Sequence, residues 1–304
     1  MPKVFRFREY GGPQTQEFAE VDKPEPGPGQ LLLQVRAAGV NPYDHKVRSG
    51  LFKDGRELPS EFGGEVSGVI EQIGAGVEGF SVGDAVFGWP APGYGAFSEY
   101  TIVAQDGVVA KPPQVSFVDA AALPVASATA YDGLAQLGLS AGQTLLITGI
   151  GGGVGVAAVQ LARNAGIRVV GTGSQSKRAL VESLGAELVD YGDGVSERLS
   201  ELLPDGVDGV FDLVSGPALS AVAGLVKDPG KLISAVSPET VTELGGAFIR
   251  RDSGLRGLAE VARLAAEGVL NPQVTSVVAF SDAPKAIAAV ESGHPLGKVV
   301  LQVS

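Results

Sequence analysis

QTLLITGIGGGVGVAAVQLAR, residues 143–163, decides the fold of this chain. Its first apolar run, Thr144–Thr148, has the composition of a buried strand, and five of the seven positions 149–155 are glycine. A pattern rich in Ala and Val with helical spacing follows. A strand, a tight glycine turn and the start of a helix together place backbone N–H groups around a pyrophosphate. The stretch therefore predicts dinucleotide binding.

The glycine spacing differs from the strict G-x-G-x-x-G pattern. Counted from Gly149, the last glycine would stand at position 154, where the chain has Val154, but GIGGGVG fits a turn with one extra residue. A glycine motif alone is weak evidence because glycines also cap helices and form ordinary turns. The strand before it, the helix after it and the βα units beyond it favour dinucleotide binding over a purely structural turn.

Composition limits the classes of function that are possible for this chain. The 304 residues suffice for two domains with a sizeable core, and the net charge of -11 disfavours nucleic acid and anionic membranes as partners. The chain has no cysteine and two histidines, so thiolate catalysis and cysteine-bound zinc are excluded and we expect no metal. The N-terminus MPKVFRFREYGG lacks a signal-peptide core, and no long apolar run predicts a membrane span. We expect a cytoplasmic protein.

The order of predicted elements indicates an α/β fold. The first third is β-rich, with strands predicted at 30–38, 68–73, 85–87 and 97–103. Residues 119–135 predict helix interrupted at Pro124. Strands are then predicted at 144–148, 168–171, 188–189, 209–213 and 231–235, and helices at 153–165, 177–184, 195–202 and 217–226. This alternation predicts a doubly wound parallel sheet. The C-terminal elements are predicted at 257–267, 274–279, 282–292 and 298–303, and the last strand is expected to rejoin the first domain.

The end of the second strand of the parallel sheet bears on which dinucleotide is bound. NAD-binding folds usually have a carboxylate there for the ribose 2′-hydroxyl, but this chain has none before Glu182. Ser174, Lys177 and Arg178 instead suit a 2′-phosphate, which prefers cations and hydroxyl donors. The alternative is that both cations are solvated residues of a first helical turn, where they oppose the helix dipole. We favour NADPH.

A third polar cluster, GVNPYDHKVRSG at 39–50, follows an apolar strand. Asn41 and Tyr43 can hydrogen-bond a carbonyl or a nicotinamide ribose, and Lys46 can place a cation near a developing oxyanion. The alternative is an Asn-Pro turn and a solvated helix in which Asp44 and Arg48 form an i,i+4 ion pair. His45, in the same segment, is expected to pack or hydrogen-bond rather than to catalyse.

These segments resemble the zinc-free medium-chain dehydrogenases/reductases, close to the zeta-crystallin-like quinone oxidoreductases. The resemblance covers nearly the whole chain. It rests on GVNPYDHKVRSG at 39–50, FGGEVSGVIEQIGAGVEGFSVGDAVFG at 62–88, AALPVASATAYDGL at 121–134, GIGGGVG at 149–155 and GKVVL at 297–301. Zinc-containing relatives have Cys and His at the positions of Asn41 and Gly64. Two residues depart from the family: Lys46 replaces a tyrosine common in quinone reductases, and Ile150 replaces the usual alanine of the turn.

The resemblance implies a GroES-like β-rich substrate domain, residues 1–122 and 270–304, and a Rossmann domain with a doubly wound parallel sheet, residues 123–269. It also implies a homodimer. The cofactor contacts that it implies are Thr129, Gly151, Gly152, Gly153, Val154, Gly155, Ser174, Lys177, Tyr191, Leu213, Val214, Ser215, Ala235, Val236, Ser237 and Lys298, to which the residue pattern adds Asn41 and Arg178.

The leading hypothesis is an NADPH-dependent reductase of quinones, enones or related activated carbonyl compounds. Asn41, Tyr43 and Lys46 are the candidate catalytic contacts to the acceptor carbonyl, and Phe52 and Trp89 are candidate apolar walls. The proton donor is left open among solvent, Tyr43 and Lys46. The alternatives are a 2-enoyl thioester reductase and a non-catalytic NADPH-binding sensor or structural protein.

Overall fold

The computed structural model describes residues 1–53, 55–293 and 296–303, so that His294 lies outside the described residues. The chain divides into two compact units. The N-terminal unit contains Met1–Val125, Leu258–Ala266 and Pro272–Ser304, and the central unit contains Ala126–Gly257 and Glu267–Asn271.

The strands are β1 (Lys3–Phe7), β2 (Gln16–Glu20), β3 (Gln30–Val40), β4 (Ser60–Glu61), β5 (Val66–Ile73), β6 (Ala85–Gly88), β7 (Tyr100–Ala104), β8 (Val108–Ala110), β9 (Thr144–Thr148), β10 (Arg168–Gly173), β11 (Glu187–Asp190), β12 (Gly209–Asp212), β13 (Leu232–Ser234), β14 (Ala247–Phe248), β15 (Val274–Ala279) and β16 (Lys298–Gln302). The α-helices are α1 (Pro42–Arg48), α2 (Phe117–Ala121), α3 (Ala126–Leu137), α4 (Gly153–Asn164), α5 (Arg178–Ser183), α6 (Val195–Leu202), α7 (Pro217–Ala223), α8 (Pro238–Glu243), α9 (Gly254–Ala266) and α10 (Ala283–Glu291).

The N-terminal unit is built around β3. This long strand pairs antiparallel with β5, β7 and β16, and its apolar side chains are buried. The sheet order is β15-β16-β3-β5-β6-β8, and a separate sheet has the order β2-β1-β4. Phe5 and Phe7 of β1 pack in the same core as Leu33. The antiparallel pairing of β16 with β3 places the last strand in the same sheet as strands from the first third of the chain.

The central unit contains a parallel sheet in the order β11-β10-β9-β12-β13-β14. Leu146, Val170, Val210 and Leu232 come from four of its neighbouring strands and are buried in one core. The helices α4 to α8 alternate with the strands along the chain, as in a doubly wound fold. The predicted α/β class is therefore confirmed.

The predictions differ from the structure mainly at short strands. The strands β1, β2, β4, β8 and β14 were not predicted, and the strand predicted at 231–235 extends beyond β13 at both ends. These segments have few residues, so periodicity gives little signal, and their pairing depends on strands distant in sequence.

Candidate functional site

The glycine turn lies at the carboxyl end of β9 and leads directly into α4. Gly149 has a φ of +69°, in the left-handed region where glycine avoids strain. Gly152 precedes the helix, and no side chain caps it there. The first backbone N–H groups of α4 therefore lack intrahelical acceptors. A phosphate would accept them, and the helix dipole favours its charge.

The turn glycines differ in the space around them. A Cβ at Gly155 would lie 2.3 Å from the carbonyl oxygen of Ile150, so this glycine lets the helix pack on the turn. A Cβ at Gly152 would meet only the Gly149 carbonyl oxygen, at 3.4 Å. The approach to Gly152 is open, as close contact of the backbone with a pyrophosphate requires. The residues present fit a dinucleotide.

Ile150, the departure from the family pattern, belongs to the core of the sheet. It is fully buried, and a Cβ built at Gly171 of β10 would lie 2.5 Å from its Cδ1. A Cβ at Gly173 would lie 3.6 Å from its Cγ2. The larger side chain at position 150 therefore occupies space that two glycines of the next strand leave empty.

Lys177 lies against the glycine turn. A Cβ at Gly151 would approach Lys177 Cδ to 2.5 Å, which places the lysine stem over that glycine. Burial lowers the pKa of Lys177 from its usual value. No hydrogen bond or ion pair of its ammonium is found among the described residues. The nearby hydroxyls of Ser174 and Ser176 lie 2.9 Å apart.

Arg178 was predicted to contact the phosphate, but its guanidinium makes hydrogen bonds within the protein. Its Nε donates to Gln175 Oε1 at 2.8 Å, and its Nη1 donates to Glu182 Oε1 at 3.0 Å and to the Leu188 carbonyl at 2.9 Å. Asp190 Oδ1 is 3.7 Å from its Nη2. The guanidinium thus fastens α5 to β11, which leaves Lys177 as the better placed cation for a 2′-phosphate.

A buried hydrogen-bond network supports the loops after β12 and β13. Asp212 accepts from Thr148 Oγ1 at 2.6 Å and from Ser234 Oγ at 2.7 Å. The backbone N–H groups of Val214 and Ser215 donate to Asp212, at 3.2 and 3.1 Å. Those of Leu213, Val236 and Ser237 donate to the Thr148 and Ser234 hydroxyls. The predicted contacts 213–215 and 235–237 are therefore brought to one edge of the sheet, with Ala235 N–H bonded to the Asp212 carbonyl at 3.0 Å.

The sequence analysis did not identify Thr148, Asp212 or Ser234. They are the last residues of β9, β12 and β13, and each ends an apolar run with a polar side chain. Because parallel strands end at the same edge of a sheet, these polar ends meet, and that recurrence was the available signal.

Two other predicted cofactor contacts lie in the central unit. Tyr191 is 61% exposed, and its N–H donates to the Gly173 carbonyl at 3.2 Å. Thr129 Oγ1 accepts from Arg251 Nη1 at 2.7 Å, while Arg251 Nε lies 3.3 Å from Asp132 Oδ2. Arg251 adds a cation beside Thr129 that sequence reasoning missed, because 122 residues separate the two.

Asn41, Glu65 and Lys298 form a buried cluster in the N-terminal unit. Asn41 Nδ2 donates to Glu65 Oε1 at 2.8 Å, and Lys298 Nζ donates to Asn41 Oδ1 at 2.7 Å and to Glu65 Oε1 at 2.6 Å. Glu65 Oε2 accepts from Val125 N–H at 2.8 Å. The cluster holds the Asn41 amide in one orientation, and Glu65 was not among the predicted site residues.

Asp44 holds the start of α1. Its Oδ2 accepts from Asn41 N–H at 2.8 Å. Burial raises the pKa of Asp44 to about 7, although the hydrogen bond from Asn41 N–H opposes this shift. The alternative of an Asp44–Arg48 ion pair is wrong, because Arg48 Nη2 instead lies 2.7 Å from Glu291 Oε1. His45 Nδ1 is 4.0 Å from Glu291 Oε1, and burial lowers the pKa of His45.

A cleft of about 690 Å³ opens in the N-terminal unit beside α1. Tyr43 lines it and stacks on Phe52, with ring centroids 5.5 Å apart and an interplanar angle of 21°. In the part of the chain that the structure describes, Lys46 and Trp89 do not line this cleft. Of the predicted substrate contacts among the described residues, Tyr43 lines the cleft, and Phe52 contacts Tyr43 without lining it.

Within the described ranges, no group of three or more His, Cys, Asp or Glu side chains is placed to hold a metal ion. None of the helices described there is both long enough and apolar enough to cross a bilayer.

Comparisons with known proteins extend over both units. The family model of the alcohol dehydrogenase GroES-like domain matches residues 27–113, and that of zinc-binding dehydrogenase matches residues 184–301. The 2-methylene-furan-3-one reductase of Solanum lycopersicum is 34% identical over 98% of this chain and 78% of its own. The chloroplastic NADPH-dependent alkenal/one oxidoreductase of Arabidopsis thaliana is 33% identical over 98% of this chain and 79% of its own. The solved quinone oxidoreductase from Coxiella burnetii has a TM-score of 0.90 at 29% identity, covering 100% of this chain and 99% of that one.

Proposed function

The chain belongs to the medium-chain dehydrogenase/reductase family, among its quinone and alkenal/one oxidoreductases, and we propose that it is an NADPH-dependent reductase of quinones, enones or related activated carbonyl compounds. The observation that supports the cofactor is Lys177, which follows a strand end without a carboxylate and whose stem lies over Gly151. No hydrogen bond or ion pair of its ammonium is found among the described residues. A 2′-phosphate would give this ammonium its partner.

The central unit would hold the cofactor. The open face at Gly152 and the N–H groups of Val154 and Gly155 would take the pyrophosphate. Ser174 and Lys177 would take the 2′-phosphate, and the loops fixed by Asp212 would take the nicotinamide end. Bound NADPH supplies a hydride, which carries two electrons.

The N-terminal unit would hold the acceptor in the cleft beside Tyr43. With an enone, the hydride would go to the β-carbon, the C=C electron pair would move to the carbonyl oxygen, and the α-carbon would need one proton. Tyr43 lines the cleft and can donate a hydrogen bond to the carbonyl oxygen. Asn41 is better assigned to positioning, because both ends of its amide are bonded to Glu65 and Lys298. Water entering the cleft or Tyr43 would supply the proton.

The further parts of the proposal are a zinc-independent reaction, a cytoplasmic homodimer and domains at 1–122 with 270–304 and at 123–269. Zinc independence is supported by the absence of cysteine and by the Lys298 ammonium between Asn41 and Glu65. Elemental analysis of the purified protein tests the zinc independence, and light scattering tests the dimer.

NADPH oxidation against a panel of quinones, enones, aldehydes and enoyl thioesters, with NADH in parallel, tests the proposed function. We expect turnover of a quinone or an enone with a preference for NADPH. Tight NADPH binding without oxidation by any acceptor would instead support the non-catalytic alternative, and turnover of enoyl thioesters alone would support the thioester reductase.

A further inference from the structure

Acidic side chains outnumber basic ones in the described lining of the cleft. Asp44, Glu57 and Glu61 line it with carboxyl groups, and Arg56 is the one cation among the lining residues that the structure describes. Resting on the proposed function, we propose that Glu57 and Glu61 make this cleft selective for neutral acceptors and exclude anionic ones such as carboxylates and coenzyme A thioesters. A like charge in a binding site is a common means of rejecting a competing ligand.

Glu57 supplies a carboxylate at the rim of the cleft. Its side chain is exposed, and no hydrogen bond or ion pair of this residue is found in the described chain. Because no cation within the described residues pairs with it, its charge acts on any group that enters.

Glu61 supplies a second carboxyl group, fixed in place. Its Oε2 accepts from Gly95 N–H at 2.9 Å, and a Cβ at Gly95 would lie 2.7 Å from the Glu61 Cβ. Burial raises the pKa of Glu61, an effect that the hydrogen bond from Gly95 N–H and the positive charge of Arg6 oppose. An anionic acceptor would lose water on entering and would meet this group without a matching donor.

Arg56 is a single cation beside two glutamates in the described lining of the cleft. Its guanidinium carbon lies 6.0 Å from the centroid of the Tyr43 ring, as in a cation–π contact. Asp44, deeper in the cleft, already accepts from Asn41 N–H and adds no donor. The lining also includes the apolar side chains of Phe7, Val47, Pro59 and Phe62. Such walls suit the uncharged body of an enone or a quinone.

Three acceptors that share one reactive group test this selectivity. Each is a straight-chain methyl enone that carries, several carbons from its β-carbon, a carboxylate, the methyl ester of that carboxylate or a trimethylammonium group. We expect kcat/KM to fall in the order trimethylammonium, ester, carboxylate. At the separations within a cleft of this size, each glutamate is expected to lower the carboxylate-to-ester ratio by about fivefold.

The variants Glu57→Gln and Glu61→Gln should each raise the carboxylate-to-ester ratio, and Arg56→Gln should lower it. At position 61, glutamine keeps an oxygen that can accept from Gly95 N–H. At position 57, the exposed glutamate makes no hydrogen bond or ion pair within the described residues that the substitution would remove. Glu20→Gln, an exposed carboxylate of β2 that does not line the cleft, is the matched control and should leave the ratio unchanged. Higher salt should reduce the difference in kcat/KM between ester and carboxylate in the wild type, and should reduce it less in a variant that carries both Glu57→Gln and Glu61→Gln.

A wild-type enzyme that reduces carboxylate and ester equally well, or a ratio that the two glutamine variants do not change, would overturn the selectivity while leaving the proposed function intact. If none of the three enones, nor any quinone, is reduced, the proposed function fails and the selectivity fails with it.

Discussion

Lys298 Nζ lies 2.6 Å from Glu65 Oε1, and both side chains are almost completely buried, with exposures of 4% and 0%. Lys298 begins β16, whereas Glu65 immediately precedes β5. The two strands flank β3 on opposite sides, so the sheet brings together residues that are 233 positions apart. The pair in turn fixes the Asn41 amide through hydrogen bonds to both of its ends.

Lys298→Met is expected to destabilise the fold by about 3–5 kcal/mol, because it leaves the Glu65 carboxylate buried without its cation. Urea unfolding measures this cost. Lys285→Met is the control: its side chain is 80% exposed and pairs with Asp282 at the surface, so its loss should have a small effect. Equal midpoints for the two variants would show that the buried pair does not contribute as proposed.

Asp44→Asn is expected to change how stability depends on pH. Burial raises the pKa of Asp44 from 3.8 to about 7, so the folded state binds this proton more tightly than the unfolded state. The stabilisation is fully present below the unfolded pKa and is lost as pH rises through the folded one. Asparagine can still accept from Asn41 N–H but does not titrate.

Urea midpoints near pH 4 and near pH 8 measure the difference. The wild type should lose stability relative to Asp44→Asn between these values. Asp106→Asn, at an exposed carboxylate of the same unit, should follow the wild type. A parallel course for wild type and Asp44→Asn would contradict the prediction.

Lys177→Ala is expected to weaken NADPH binding by about 1.5–3 kcal/mol and NADH binding far less, because a charge-assisted hydrogen bond to the 2′-phosphate is lost. Titration calorimetry with both cofactors measures the selectivity. Arg178→Ala is the matched control, since its guanidinium contacts Glu182 of α5 and Leu188 of β11. We expect that variant to lower stability without a comparable change in cofactor preference. Equal losses for both cofactors in Lys177→Ala would remove the 2′-phosphate role.

Ile150→Ala and Gly152→Ala are expected to have opposite effects. Ile150 is fully buried against Gly171, so its truncation should destabilise the fold by about 2–5 kcal/mol while NADPH affinity of the folded protein changes little. At Gly152 a methyl group has room within the fold but occupies the open face of the turn. That variant should keep its thermal midpoint and lose affinity for both cofactors. The reverse pattern would show that Ile150, rather than Gly152, faces the pyrophosphate.

The parts of the site that could be predicted are those whose residues are close together in sequence. The glycine turn is such a segment, because the strand, turn and helix adjoin in sequence, and Lys177 follows a strand end that lacks a carboxylate. Arg178 could not be assigned in this way, since its partners Leu188 and Asp190 lie on the next strand. Asp44 and Arg48 have ideal helical spacing, yet the start of α1 and Glu291 provide better partners.

The sequence by itself determined the α/β class, the parallel sheet and the dinucleotide turn, because periodicity and glycine placement act over a few neighbouring residues. Only the tertiary structure decided that Glu65 and Lys298 fix Asn41, that Asp212 supports two loops through Thr148 and Ser234, and that Tyr43 lines an acidic cleft. The physical reason is that these contacts depend on strand order and on which buried polar groups must find partners, and both are properties of the folded chain.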